Sequence, residues 1–293
     1  MRVKTVLSFT NFIAISFALA GLLTAGTAVA GGHNKPAKPK KVLSFDPELR
    51  GNETGTVLVS GSNRGIGLAM VKNYADRGWT IIATARKPDK AIDLKNLAAE
   101  HPDQIRIEQM DLLDHASIEA LAKSLDGMPI DVLLNNAAFM GEPNDQTIGA
   151  FDYELAERVH AINVTGTLKM IETLLPNVEA SKQKIIVGIS STQGSIASLR
   201  EPGIVFYKMS KAALNMGLRA QSRALKKRGV TVAIVSPGAV DTEMMNLALD
   251  RAGVKFKLLT TAQSAEAVIN VIGQYKIKNT GVFMSHDGKE LPW

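Results

Sequence analysis

Thr56-Val57-Leu58-Val59-Ser60-Gly61-Ser62-Asn63-Arg64-Gly65-Ile66-Gly67 reads as a buried strand, a glycine-rich turn and the opening of a helix. A short β-branched and apolar run bounded by turn residues fits a strand covered on both faces. Glycine at 61, 65 and 67 lets the backbone fold tightly and be approached closely. Unpaired amides and the positive end of the helix dipole then meet at one point, which favours a bound phosphate. A plain tight turn uses the same glycines, so the strand-turn-helix setting is what gives them meaning. Gly61, Asn63, Arg64, Gly65, Ile66 and Gly67 are therefore the expected pyrophosphate cradle of a dinucleotide site.

Outward from this unit, short apolar runs alternate with longer amphipathic stretches. The runs cover 56–59, 80–84, 105–109, 132–134, 184–189, 230–235 and 281–284, and the helical patterns 67–77, 94–100, 117–124, 151–175, 205–227 and 262–274. Such alternation predicts parallel strands joined by crossover helices. The expected fold class is α/β: a single doubly wound Rossmann-type domain over 55–293, with a seven-stranded parallel sheet and helices on both faces. No internal repeat or second apolar core interrupts it.

In this architecture the end of the second strand faces the adenosine ribose and tests which dinucleotide fits. An acidic residue there accepts from the 2′-hydroxyl of NAD and repels a 2′-phosphate. Here the run closes Ala83-Thr84-Ala85-Arg86, without a carboxylate. Arg86 can grip a phosphate through two parallel hydrogen bonds, and Arg64 in the glycine turn can approach the same group. Two arginines and no acid predict NADP (NADPH), although either one singly also reads as a solvated surface arginine.

The 293 residues are 45% hydrophobic, enough for a sizeable core. Cysteine is absent, which excludes disulfides, a thiol nucleophile and thiolate metal ligands, and five scattered histidines give no metal-ligand spacing. No metal site is expected. Much of the net charge of +6 lies near the N-terminus, in Arg2, Lys4, Lys35, Lys38, Lys40 and Lys41. Without interleaved aromatics this is a local basic segment and not a nucleic-acid face.

Arg2 and Lys4 precede an uncharged apolar run, and Ala28-Val29-Ala30 supplies a small-residue cleavage site before Gly31. Residues 1–30 are read as a signal peptide, with a mature protein in the periplasm or outside the cell. The alternative is an uncleaved anchor, because the uncharged stretch 6–30 is long enough to span a bilayer. The lysines that follow it would then hold the domain on the cytoplasmic side. Residues 31–54, with Pro36, Pro39 and Pro47, are read as a linker.

Tyr207-Lys208-Met209-Ser210-Lys211 sets a phenol and an ammonium four residues apart on one helix face. A neighbouring cation favours the phenolate and is expected to lower the tyrosine pKa from about 10. The spacing alone is common on solvated helices. It gains weight from Asn135-Asn136-Ala137-Ala138, Asn163 and Ser190-Ser191-Thr192-Gln193-Gly194, which precede it in strict order, and from Pro237-Gly238 after it. With these motifs the chain resembles the short-chain dehydrogenase/reductase family over essentially all of 56–293. The glycine turn with Leu68 and the closing Gly288-Lys289-Glu290-Leu291-Pro292-Trp293 resemble its C-factor and sniffer-type carbonyl reductase branch.

The resemblance implies hydride transfer between a nicotinamide and a carbonyl or alcohol carbon, with Asn163, Ser191, Tyr207 and Lys211 as the catalytic set. By that resemblance Tyr207 is the acid/base and Ser191 holds the substrate oxygen. Lys211 tunes the phenol and binds the nicotinamide ribose, and Asn163 anchors a water in a relay to Lys211. Ser190 is the alternative serine, but the family pattern puts the catalytic one three before Gly194. Asp111 and Leu112 are implied near the adenine, Asn136 and Ala137 along the adenosine half, and Pro237, Gly238, Val240 and Thr242 around the carboxamide. Asp111 also reads as a helix-capping acid.

Two departures from the family pattern stand out. Ala138 occupies a glycine position, so the backbone there must suit a residue with Cβ. Ser191 and Tyr207 are 16 residues apart, wider than the common spacing, and 192–206 is expected to shape the substrate mouth. Met244, Met245, Leu247, Leu249, Phe256, Leu258 and Leu259 suggest a hydrophobic lid without identifying the small-molecule substrate. Family members associate as homodimers or homotetramers. The competing function is a nucleotide-binding, C-factor-like signalling protein with little turnover. Export away from reduced NADP favours it, and the intact catalytic set opposes it.

Overall fold

The computed structural model describes residues 43–49, 51, 53–255 and 257–293. The expected signal peptide and residues 31–42, 50 and 52 of the expected linker lie outside the described residues, as does Phe256 of the lid.

Seven strands form one sheet: β1 Thr56–Val59, β2 Thr80–Ala85, β3 Ile105–Gln109, β4 Val132–Asn135, β5 Ile185–Ile189, β6 Thr231–Ser236 and β7 Phe283–Ser285. Their order is β3-β2-β1-β4-β5-β6-β7, and each neighbouring pair is parallel. Parallel neighbours need long crossovers. These are built from α1 Gly65–Asp76, α2 Ile92–Glu100, α3 His115–Ser124, α4 Tyr153–His160, α5 Thr167–Glu179, α6 Val205–Leu225, α7 Glu243–Ala252 and α8 Thr261–Gly273.

Side chains alternate across a strand, so β1 sends Val57 and Val59 into one apolar layer and Leu58 into the other. The first layer includes Met70 and Tyr74 of α1 and Val268 and Ile272 of α8. The second includes Ile118 of α3, Leu174 of α5 and Leu218 of α6. Helices thus cover both faces, which is why the strands read as continuous apolar runs. The strand order reverses between β1 and β4, and a crevice opens above the carboxyl ends of the strands at such a point.

The structure departs from the sequence reading in three places. The helical pattern over 151–175 is two helices, α4 and α5, joined by a π-helical segment Ala161–Gly166. Apolar spacing continues through this segment, so periodicity does not mark it. The expected lid contains a regular helix, α7, capped at its start by the Thr242 hydroxyl, which accepts from Met245 N at 3.2 Å, and ended at Gly253 with φ +66°.

The third difference concerns the linker, whose end is docked on the domain. Leu43 and Phe45 pack against the first apolar layer, and Phe45 N donates to Gly288 O at 2.7 Å. Ser44 bridges Lys289 antiparallel, and the Phe45 ring stands edge-on to Tyr275 with centroids 5.2 Å apart. Residues 43–47 alternate between half-buried and exposed, as an added edge strand would.

Candidate active site

The glycine turn sits at the carboxyl end of β1. Gly61 and Gly65 have φ of +69° and +58°, a region that L side chains occupy at a cost. A Cβ on Gly61 would lie 2.9 Å from Ala137 Cα, and one on Gly67 would lie 2.1 Å from Gly61 O. The loop after β4 closes on this turn from the other side. Ser60 Oγ accepts from Asn136 N at 3.0 Å and Ala137 N at 3.1 Å. Asn136 Nδ2 in turn donates to Ser60 O at 3.0 Å and Gly61 O at 3.2 Å, so its side-chain donors are spent within the turn.

Arg64 starts α1 without a side-chain cap, leaving the first amides of the helix for another acceptor. Thr84 Oγ1 and Asn135 Oδ1, at the carboxyl ends of β2 and β4, are buried without a hydrogen-bond partner among the described residues. A cradle that excludes a Cβ at Gly61 and Gly67, an uncapped helix start and two orphaned polar side-chain atoms suit a polar, phosphate-bearing cofactor. Asn63 and Arg86 are exposed beside it, and Ile66 is half-buried against the first apolar layer.

Arg64 is not free to face Arg86: its guanidinium is paired with the Glu243 carboxylate at the start of α7. Both side chains are largely exposed, so this pair is weak and open to exchange for a stronger anion. Asp111 does not cap a helix. Its Oδ1 accepts from Leu113 N at 3.0 Å, while Asp114 caps α3 by accepting from Ala116 N at 3.0 Å. Leu112 is buried, and its carbonyl faces Gly166 of the π segment so closely that a Cβ there would lie 2.4 Å from it. Ala138 keeps a negative φ, which accommodates its methyl group.

Beyond β6, Pro237 O accepts from Ser264 Oγ at 2.8 Å, and Gly238 turns with φ +85°. A Cβ on Gly238 would meet His286 Cε1 at 2.7 Å. Val240 is buried and bridges Leu259, and Thr242 lies 3.6 Å from the Cβ that Gly65 lacks. The turn after β6 therefore meets the glycine turn across the crevice.

Ser191, Tyr207 and Lys211 meet at the carboxyl end of β5, and Asn163 is joined to their helix through Ser210. Ser190 and Ser191 are distinguished by their partners. Ser190 is buried and donates to Asn215 Oδ1 at 2.6 Å, whereas Ser191 is half-buried and interacts with the Tyr207 hydroxyl. Lys211 is 2% exposed, donates to Ile189 O at 2.9 Å and holds its Nζ 5.7 Å from the Tyr207 ring centroid. Asn163 is 1% exposed and clasps one backbone unit. Its Oδ1 accepts from Phe139 N and its Nδ2 donates to Phe139 O, both at 2.8 Å. Nδ2 also donates to Ser210 Oγ at 2.9 Å, and Ser210 Oγ donates to Tyr207 O at 2.7 Å.

The expected lowering of the Tyr207 pKa is not what the fold produces. Burial pushes the phenol up to about 12, and the Ser191 interaction opposes that rise. Burial also brings the Lys211 ammonium down to about 8. The physical reason is desolvation, which disfavours the charged form of each group and outweighs their mutual attraction at this separation.

Sequence reasoning overlooked Ser60, Asn215 and Gln146, which hold the site together without belonging to it chemically. Ser60 occupies the first position of the turn, where its hydroxyl could have been anticipated as a backbone partner. Asn215 lies four residues after Lys211 on the same helix face as the lysine. Gln146 ends a four-residue 3-10 helix, Pro143–Gln146, too short to leave a periodic sequence signal.

The model of the short chain dehydrogenase family matches residues 55–252. The C-signal protein of Myxococcus xanthus is 31% identical over 176 residues, covering 60% of this chain and 100% of that one. The NADPH bound carbonyl reductase from chicken fatty liver superposes with a TM-score of 0.73 at 30% identity, covering 81% of this chain and 98% of that one. The carbonyl reductase Sniffer of D. melanogaster shares the fold, with a TM-score of 0.75 at 24% identity over 82% of this chain and 100% of its own.

Proposed function

Because the chain belongs to the short-chain dehydrogenase family, we propose that it is an NADP-dependent oxidoreductase that interconverts a carbonyl and an alcohol, with Tyr207 as the acid/base. When bound, the nicotinamide supplies or accepts the hydride. The observation that carries the proposal is the meeting of Ser191, Tyr207 and Lys211 at the end of β5. Ser191 and Tyr207 offer two hydroxyls to one substrate oxygen, and the Tyr207 phenol, pushed up to about 12, holds its proton at neutral pH. That protonation state suits proton donation to a carbonyl oxygen.

Lys211 would hold the ribose hydroxyls and oppose the cost of a transient phenolate. Because the Asn163 side chain is fully engaged, a water relay toward Lys211 would use its backbone carbonyl in the π segment. NADP is supported by exposed Arg86 at an acid-free strand end and by the NADPH in the chicken enzyme. Arg64 would join Arg86 on exchanging Glu243 for the 2′-phosphate. Exposed Met209 on α6, near Ala156 and His160 of α4, supports association through these helices into a homodimer or homotetramer. Cleavage after Ala30 and export are proposed for the N-terminal segment, with the cytoplasm-facing anchor as the alternative.

The similarity to the C-signal favours a second possibility, a nucleotide-binding signalling protein with little turnover. One experiment separates the two: NADPH and NADH titration of the chain lacking residues 1–30, followed by turnover of aldehydes, diketones and quinones by wild type and Tyr207→Phe. The oxidoreductase binds NADPH more tightly than NADH and turns over. Its Tyr207→Phe variant keeps NADPH affinity within a few-fold but loses at least about 100-fold in rate. Near wild-type turnover in that variant removes Tyr207 from the chemistry, and tight binding without turnover in the wild type favours the signalling protein.

A further inference from the structure

The helix that carries Tyr207 begins without a cap of its own. Its N-cap is Ile204, a β-branched residue at φ +40°, ψ +44° directly after Gly203 at φ +82°, and it has no side-chain oxygen to offer. Lys208 N donates to Ile204 O at 3.0 Å, so the amides of 205 to 207 precede the first intrahelical bond. One of them is the amide of Tyr207 itself. It donates to Gln146 Oε1 at 3.0 Å, across 61 positions of sequence.

Gln146 is 0% exposed, and all of its polar atoms are engaged. Nε2 donates to Met140 O at 2.8 Å and to Glu142 O at 3.3 Å. The loop that Gln146 holds also includes Phe139, the backbone unit clasped by Asn163. The Glu142 side chain, at the other end, accepts from Arg251 of α7 at 2.6 Å. A single amide therefore joins the loop after β4, the start of the catalytic helix and, through that loop, the end of the lid helix.

We propose that Gln146 is a positioning residue for Tyr207, acting as an N-cap supplied from a distant segment. This rests on the reading of Tyr207 as the proton donor. A strained left-handed entry leaves the first turn of α6 under-determined, and the Gln146 carbonyl fixes the backbone at the residue whose hydroxyl must meet the substrate oxygen. Displacement of a reacting group by about 1 Å can cost on the order of 100-fold in rate, so a cap at this position has leverage that a cap elsewhere on the helix lacks.

The test compares Gln146→Met, which keeps the volume and removes both hydrogen-bonding ends, with Gln146→Glu, which keeps the acceptor. Gln146→Met is expected to lower kcat by at least about tenfold while NADPH Kd stays within about twofold. Gln146→Glu, whose fully buried carboxyl would face the Met140 and Glu142 carbonyls and so stay protonated, keeps the acceptor and one donor and is expected to recover to within about threefold of the wild-type kcat. Equal kcat losses in both variants overturn the cap, since the donors to Met140 and Glu142 would then be what matters. An unchanged kcat in a less stable Gln146→Met protein overturns it as well, leaving a structural glutamine.

Should neither variant fold, amide exchange of the wild-type protein decides. A capped Tyr207 N–H exchanges at least about 100-fold more slowly than a free amide, and unprotected exchange overturns the proposal. Failure of the underlying function looks different: wild-type protein turns over no carbonyl, whatever the state of the Tyr207 amide.

Discussion

Lys211 keeps an ammonium where water barely reaches, with the Ile189 carbonyl as its hydrogen-bond partner in place of a hydration shell. The cost of that placement depends on pH. Native Lys211 releases its proton near pH 8, the unfolded chain near 10.5. Below about 8 both states hold the proton and the desolvation cost is present in full. Between 8 and 10.5 the unfolded chain binds more protons than the native one, so stability from this group rises with pH. Lys211→Met removes the titration and keeps the volume. Urea unfolding of the two proteins should show the wild type gaining on the variant from pH 8 to 10.5, and a difference that stays constant across that range overturns the assignment of the burial cost to Lys211.

Tyr207, Lys211 and Ser191 were legible because the proposed chemistry restricts which side chains can stand there and at what spacing. The direction of the Tyr207 shift was not, because a sequence shows the neighbouring lysine but not the desolvation that exceeds its influence. Gln146 was invisible for a different reason. Its work is done by a hydrogen bond between segments far apart in sequence, and any loop glutamine looks the same.

At the scale of elements, the strands were legible and the helix junction was not. Fully buried parallel strands must be apolar on both faces, so β1, β2 and β4 announce themselves. The break between α4 and α5 has no such signature, since a π segment keeps helical composition. Gly166, the last residue of that segment, sits where the packing demands glycine. At φ −63° its conformation is an ordinary helical one, and what demands glycine is the Leu112 carbonyl against its face. A Cβ there would lie 2.4 Å from Leu112 O and 3.0 Å from Ala161 O, both backbone atoms that cannot turn aside. Gly166→Ala should therefore destabilise the protein by about 1–3 kcal/mol, as overpacking of a buried contact does. Asn163 lies in the same π segment, so turnover of the folded variant should fall as well. An alanine variant with unchanged denaturation midpoint and rate would mean that the segment yields without consequence.

For the whole molecule, the boundary of the folded unit lies earlier than composition suggests. Prolines and lysines give 31–54 the character of a linker, yet residues 43–47 are packed onto the folded unit. Glycine and proline content reports the lack of helix or strand periodicity, not the lack of contacts, and a strap needs only alternate residues to bury. Leu43 and Phe45 supply these, and the backbone is held by bonds to Gly288, Gln274 and Asn270, including Asp46 N to Gln274 Oε1 at 2.9 Å and Asn270 Nδ2 to Pro47 O at 2.6 Å. The strap lies before residue 55, where the match to the family model begins. Burial of two half-covered apolar side chains contributes about 2 kcal/mol. In a domain of this size that corresponds to roughly 4–8 °C in Tm. Chains beginning at residues 42 and 51 should differ by that amount in thermal unfolding, with the longer one more stable and both able to bind NADPH. Phe45→Ala in the longer chain should abolish a good part of the difference, because the ring packs edge-on against buried Tyr275. Identical melting of the two chains would show that 43–49 rests on the surface without stabilising it, and would return the boundary to the start of β1.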